Sequence, residues 1–229
     1  MIRSPLDVQT IGRIGPIAIT TPVVTTWVLM GVLVAGSWLL TRRMALKPSK
    51  SQAALELVIE VIRDQIRESM GTAPEPYLPL IGTLFLFILA ANWSSLIPGV
   101  EPPTARIETD AALALVVFAA MVGFGVRKLG LGGYLRSFAK PVFLLAPLNI
   151  IETFTRTFSL IVRLFGNVMS GVFVIAVVLS LAGLLVPIPL MALDLLIGAV
   201  QAYIFAALAM VFIGGALGET PAPANKVKP

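Results

Sequence analysis

The 229 residues include 57% apolar side chains and only 13% charged ones, with a net charge of +5. A soluble domain of this length could not hide so many long apolar runs, so the chain reads as a membrane protein rather than a soluble enzyme or a nucleic-acid binder. It has no cysteine, which excludes disulfides and thiolate metal sites, and no histidine, which leaves Asp, Glu and water for any protonation chemistry. No nucleotide-binding or metal-binding motif is present, and no cofactor is expected.

Residues 1–20 mix polar residues with Pro and Gly and do not read as a cleaved signal peptide. Residues 21–40 form a first apolar span, closed by Arg42 and Arg43 with Lys47 and Lys50 following. This basic flank places the loop in the cytoplasm and the N-terminus outside. Residues 51–70 have a different pattern. Leu55, Val58, Ile59, Ile62 and Ile66 make one face, and Glu56, Glu60, Arg63, Asp64 and Arg67 make the other. That periodicity predicts an amphipathic helix on the membrane surface or against a partner, with Glu56, Glu60 and Arg63 toward water. A second span runs over 77–97 to Pro98 and Gly99. A short outer loop carries Glu101, Arg106, Glu108 and Asp110, and a third span covers about 111–126. Arg127, Lys128, Arg136 and Lys140 then return the chain to the cytoplasm.

Residues 141–217 read as a long tilted helical hairpin. Its first arm is too long for one upright span, so it tilts or breaks, with the break placed at Pro147. Pro187 and Pro189 mark the turn, and the tail 218–229 is rich in Pro, Ala and Lys. The fold class expected is therefore all-α and polytopic: about five membrane helices, one amphipathic surface helix and the hairpin, in a single membrane domain.

The first arm carries the informative pattern. Glu152, Arg156, Ser159, Arg163, Asn167 and Ser170 recur every three or four residues, forming one stripe along a helix. The stripe rises roughly 27 Å, near the thickness of a bilayer's hydrocarbon core, with a permanent cation midway. An arginine there is costly and reads as functional. On the second arm Asp194, Gly198 and Gln201 share a face, and Ala202, Ala206 and Ala209 make a neighbouring small-residue face suited to close helix packing. An antiparallel hairpin brings Arg163 and Gln201 to similar depths, with Glu152 toward one side of the membrane and Asp194 toward the other. Other readings stay open. Glu152 and Arg156 can be a structural ion pair, and Asn167 and Gln201 can be interhelical glue.

Ser159-Leu160-Ile161-Val162-Arg163-Leu164-Phe165-Gly166-Asn167 resembles the signature of subunit a of rotary F-type ATP synthases, roughly S-L-x-x-R-L-F-G-N. Pro147 to Glu152 resembles the P-x-N-x-x-E that precedes it, Gln201 to Phe205 the Q-A-x-I-F that follows, and Pro79 to Phe85, Asn92 and Leu96 to Gly99 the second-span pattern. The likeness covers about residues 51–217. It implies a stator subunit of a bacterial inner membrane, multi-pass, with the C-terminus in the cytoplasm and no active site of its own. Its implied partners are a c-type rotor ring, b-type peripheral-stalk subunits and membrane lipid, and its cargo is H⁺ or Na⁺. Arg163 then resembles the arginine that faces the ring. Asn167, Gln201, Glu152 and Asp194 resemble polar residues of the ion path, along with Arg156, Ser159 and Ser170 of the same stripe, and Glu108 and Asp110 belong to its outer mouth. Two departures stand out. Val172 replaces a Glu found in some members, and Thr104 and Ala105 are followed by Arg106, Ile107, Glu108, Thr109 and Asp110 where T-A-D-L-N-V-T is common. The rival readings are a self-contained channel or secondary transporter, for which no internal repeat is visible, and a membrane anchor whose stripe only glues helices. Arg163 exposed on an outer surface favours a rotor partner; Arg163 enclosed favours transport within the chain alone.

Overall fold

The computed structural model describes residues 10–14, 17–42, 50–97, 100–138, 146–183 and 186–217. Expectations placed on Arg43, Lys47, Pro98, Gly99, Lys140 and the tail 218–229 lie outside them, whereas Pro147, where the break was expected, is the second residue of a helix running Ala146–Ala182. Two short strands, β1 (Thr10–Ile14) and β2 (Ile17–Thr20), pair antiparallel with Ile14 opposite Ile17 and lead directly into the first helix. This small hairpin had no clear sequence signal.

Six helices follow: α1 (Thr21–Thr41), α2 (Lys50–Met70), α3 (Leu78–Trp93), α4 (Ile107–Phe138), α5 (Ala146–Ala182) and α6 (Pro187–Ala216). A 3-10 turn Ser94–Leu96 prolongs α3, and another, Pro103–Ala105, precedes α4. Five of the helices, all but α2, are long and apolar enough to cross a membrane. The fold class is the expected all-α polytopic bundle.

The helix α6 lies at the centre of the core. Ala202, Ala206 and Ala209 are buried, and their small side chains let α3 and neighbouring helices approach closely around Phe205, Met210 and Ile213. Gly198 permits a still closer contact, because a Cβ there would sit 3.0 Å from the Cβ of Asn92 on α3. At the far end of α6, Met70 of α2 packs on Gly214. The bundle thus has a loop end, carrying residues 94–97 and 100–106 and the start of α6, and a basic end, carrying α2, Arg127 and Lys128. By contrast α1 stands almost clear of the core. Pro22 is its buried residue, while Trp27, Val32, Val34 and Trp38 are exposed, as suits a helix solvated by lipid.

Two elements depart from expectation. Helix α4 begins at Ile107 and continues past residue 126, bending at Gly130, whose φ of 71° is a left-handed conformation costly to a side chain with a Cβ. The chain then folds back so that the Tyr134 ring takes the space beside Gly125. Helix α2 turns its apolar face onto its own bundle rather than only toward lipid or a stalk. Ile66 is fully buried and Met70 nearly so, Ile62 is half-buried, and Leu57 and Val61 remain exposed. Arg63, expected in water, is half-buried with its Nε enclosed and without a hydrogen-bond partner, because it lies beside Ile59 and Ile66 on the docked side. Glu56 and Glu60 are exposed as expected. Ile66→Ala should therefore cost about 2–5 kcal/mol and Ile66→Asp still more, read as a lowered thermal midpoint and poor recovery of the assembled complex. Recovery equal to wild type would contradict this docking.

Candidate functional site

Two side chains of α3 and one of the 3-10 turn that prolongs it tie α3 to the start of α6. Asn92 Nδ2 donates to the Gly198 carbonyl at 2.9 Å, and Trp93 Nε1 donates to the Leu195 carbonyl at 3.2 Å. The Ser95 hydroxyl donates to the Asn92 carbonyl at 2.8 Å and lies within reach of Asp194 Oδ2 at 3.3 Å. Thr104, wholly buried in the second 3-10 turn, donates to Asn92 Oδ1 at 2.8 Å and so closes the loop over this junction. Asn92 is thereby satisfied at both ends of its amide, as a buried polar group must be. Asn92 stood out in the sequence through the second-span pattern, and Thr104 only as the residue from which the outer loop departs from the T-A-D-L-N-V-T pattern.

Two contacts fix the register of α5 against α6. At the loop end the Asp194 carboxylate fills the space where Gly171 lacks a side chain. Toward the basic end the Arg156 guanidinium carbon lies 5.5 Å from the centre of the Phe212 ring, a cation–π contact. Between them Arg163 comes level with the turn Ala202–Ile204, next to Gln201, as the antiparallel hairpin predicts. The two side chains nevertheless point apart. Gln201 is 6% exposed and faces the bundle, whereas Arg163 is on the exposed side of α5.

The other stripe residues follow Arg163. Leu160, Leu164 and Val168 are the buried face of α5, and the adjoining face, about 100° round the helix, presents Glu152, Arg156, Ser159 and Ser170, with Asn167 half-buried at its edge. Glu152 and Arg156 form an ion pair in which both side chains keep about half their exposure (51% and 45%), so the structural pairing and an accessible site coexist. Ser170 donates to the Asn167 carbonyl at 2.9 Å. Arg163 makes no hydrogen bond or ion pair among the described residues, leaving a cation and its donors directed outward from a membrane helix. Exposed Phe158, Val162, Phe173 and Val174 flank the stripe.

The outer-mouth pair separates. Glu108 is exposed in the first turn of α4, but Asp110 is completely buried and both its carboxylate oxygens lack a hydrogen-bond partner. The cause is the early start of α4, which puts Asp110 on the same helix face as Ala114, Val117 and Met121, all turned to the core. Arg106 is held by Glu101 at 3.0 Å. Among the described residues no group of three or more His, Cys, Asp or Glu could hold a metal ion.

Comparison with known proteins bears on the whole chain. The ATP synthase A chain family matches residues 23–214. A protein of Bradyrhizobium sp. named ATP synthase subunit a 2 is 55% identical over 219 residues, covering 96% of this chain and 98% of that relative. The ATP synthase subunit a 2 of Acaryochloris marina is 48% identical, covering 88% of this chain and 87% of its own. The ATP synthase subunit a 1 of Chlorobaculum parvum is 47% identical, covering 88% and 90%.

Proposed function

Because the chain belongs to the ATP synthase subunit a family, a multi-pass membrane subunit of that complex, we propose that the exposed stripe of α5 faces a rotor ring of carboxylate-bearing subunits and couples ion flow to its rotation. The observation that carries this reading is Arg163, a permanent cation on the exposed side of a membrane helix, with no partner among the described residues. Such a charge is costly in lipid, and an outside carboxylate would offset that cost.

A rotor carboxylate in lipid keeps its ion, because a bare charge there is unfavourable. Opposite Arg163 the ionised form is favoured and the ion departs. The membrane potential contributes about 2.3 kcal/mol per charge per 100 mV, and this becomes torque only if entry and exit paths do not meet. Arg163 separates them in depth. Asp194, with Ser95, lies toward the loop end, and Glu152, with Arg156, toward the basic end. The fixed positive charge between them opposes direct leakage. In this reading the loop end faces outside and the basic end the cytoplasm, following the Arg and Lys clusters. The stalk subunits hold the chain still against the ring.

The native sequence has no cysteine, so sidedness is testable with single replacements. In the assembled complex Asp194→Cys should react with a membrane-impermeant thiol reagent from outside only, and Glu152→Cys from the cytoplasmic side only. Reaction of either residue from both sides would contradict two separate half-paths.

A further inference from the structure

Asp110 is a buried acid whose burial is unexplained by any contact. It is 0% exposed, and neither carboxylate oxygen has a hydrogen-bond partner among the described residues. An ionised carboxylate in that position would bear a full desolvation cost with nothing to offset it, so the group requires a bound proton or cation. A metal cation needs several ligands, and among the described residues Asp110 belongs to no group of three or more His, Cys, Asp or Glu. A single proton needs only one oxygen.

Its position gives the proton somewhere to go. The ring of Phe118 on α4 stacks on Phe154 of α5, 6.0 Å between centres, and the two helices run antiparallel. Two turns further along each, Asp110 comes level with Val162, itself exposed, and so near the depth of Arg163. Toward the loop end stand Thr104 and Asn92, hydrogen-bonded to each other, and Asn92 continues to Gly198, one turn from buried Gln201. A line of buried polar groups thus runs from the loop end into the bundle at the depth of Arg163.

The charged groups around Asp110 leave it unpaired. Glu108 on its own helix is exposed, and Arg106 is engaged with Glu101. The 3-10 turn Pro103–Ala105 has no titratable side chain. On α5, Arg156 and Arg163 are on the exposed face, and on α6 Asp194 is against Gly171 and Ser95.

We propose that Asp110 is a proton station of the loop-end half-path, taking a proton from the loop side and passing it inward toward the rotor. This rests on the coupling role proposed above. The step is a plain transfer: an O–H bond forms at the Asp110 carboxylate as one in hydronium breaks, and the reverse transfer delivers the proton through water to a rotor carboxylate.

Two measurements test it on the whole complex in vesicles. Asp110→Asn keeps the shape of the side chain but cannot carry a proton. It should lower ion-driven ATP synthesis by about 100-fold, the lower end of what loss of a positioned proton carrier costs, and flatten its dependence on loop-side pH. Wild-type rate and pH profile in this variant would overturn the proposal. If the variant does not assemble, the unmodified complex decides. A hydrophobic carbodiimide, which adds to protonated carboxyl groups, should label Asp110, less as pH rises and equally in sodium or potassium chloride. Absence of label, or protection by sodium at fixed pH, would overturn a proton station. Arg163→Ala in the same vesicles separates the two ideas. Coupled synthesis in that variant sinks the coupling role itself, whereas its loss beside a normal Asp110→Asn sinks only the station.

Discussion

Vesicles carrying Arg163→Ala should make no ATP from an imposed ion gradient, although the complex assembles and its soluble head still hydrolyses ATP. The side chain is exposed and has no hydrogen bond or ion pair among the described residues, so its removal takes nothing from the core. What it takes is the field that ionises the facing carboxylate. At about 4 Å and an effective dielectric constant of about 20, that attraction is about 4 kcal/mol, equivalent to about a thousandfold change in the ionised population. Arg163→Lys should also fail largely, because a compact ammonium lacks the planar fork that holds a carboxylate by two hydrogen bonds. Passive ion leak through the assembled membrane sector should rise in the Ala variant as the electrostatic barrier falls. By contrast Glu152→Gln and Asp194→Asn should slow synthesis without abolishing it, because water can stand in for one relay group. Coupled synthesis and leak measured on the same vesicles distinguish these outcomes.

Gly198→Leu should detach the start of α6 from α3. The added side chain would occupy the space of Asn92, whose Cβ already lies 3.0 Å from where a Cβ at 198 would be. Overpacking costs about 1–3 kcal/mol, and the broken bond between Asn92 and the Gly198 carbonyl adds about 1–3, giving about 2–6 in all. The same junction can be tested from its other half. Asn92→Leu leaves the buried Thr104 hydroxyl without its acceptor, at about 1–3 kcal/mol, and adding Thr104→Val should recover much of that. Gly215→Ala on the same helix is the control, since open space surrounds that position and stability should not fall. Thermal midpoints of the purified complex measure all four variants. A Gly198→Leu protein as stable as Gly215→Ala would contradict the packing described here.

The five spans were legible because their apolar runs are long, and the close face of α6 because Ala202, Ala206 and Ala209 recur at helical spacing. That Arg163 and Gln201 sit at similar depths was legible only as what an antiparallel hairpin allows, because the arms differ in length, 37 residues in α5 against 30 in α6. Periodicity does not say which way a face points. The stripe on α5 could equally have lined the interior, and only the burial of Leu160, Leu164 and Val168 beside it, with the exposure of the stripe residues themselves, turns it outward. Asp110 looked like a loop residue because the start of α4 is hidden in a polar stretch, and a shift of four residues in that start carries it into the core. The bond from Asn92 to Gly198 joins residues 106 apart, beyond the reach of any local pattern. Gly130 stood among several glycines, and nothing nearby marks it as the one that bends the helix.

The central claim is that α5 meets the rotor with its polar face. It is tested most directly by cross-linking single cysteines in the assembled complex, against a background without native cysteine in this chain. Ser159→Cys, Gly166→Cys and Ser170→Cys lie on the exposed face and should cross-link to the ring subunit. Leu160→Cys and Leu164→Cys, turned into the core, should not. Cross-links from the buried pair, or none from the exposed three in a complex that is fully assembled, would contradict the account.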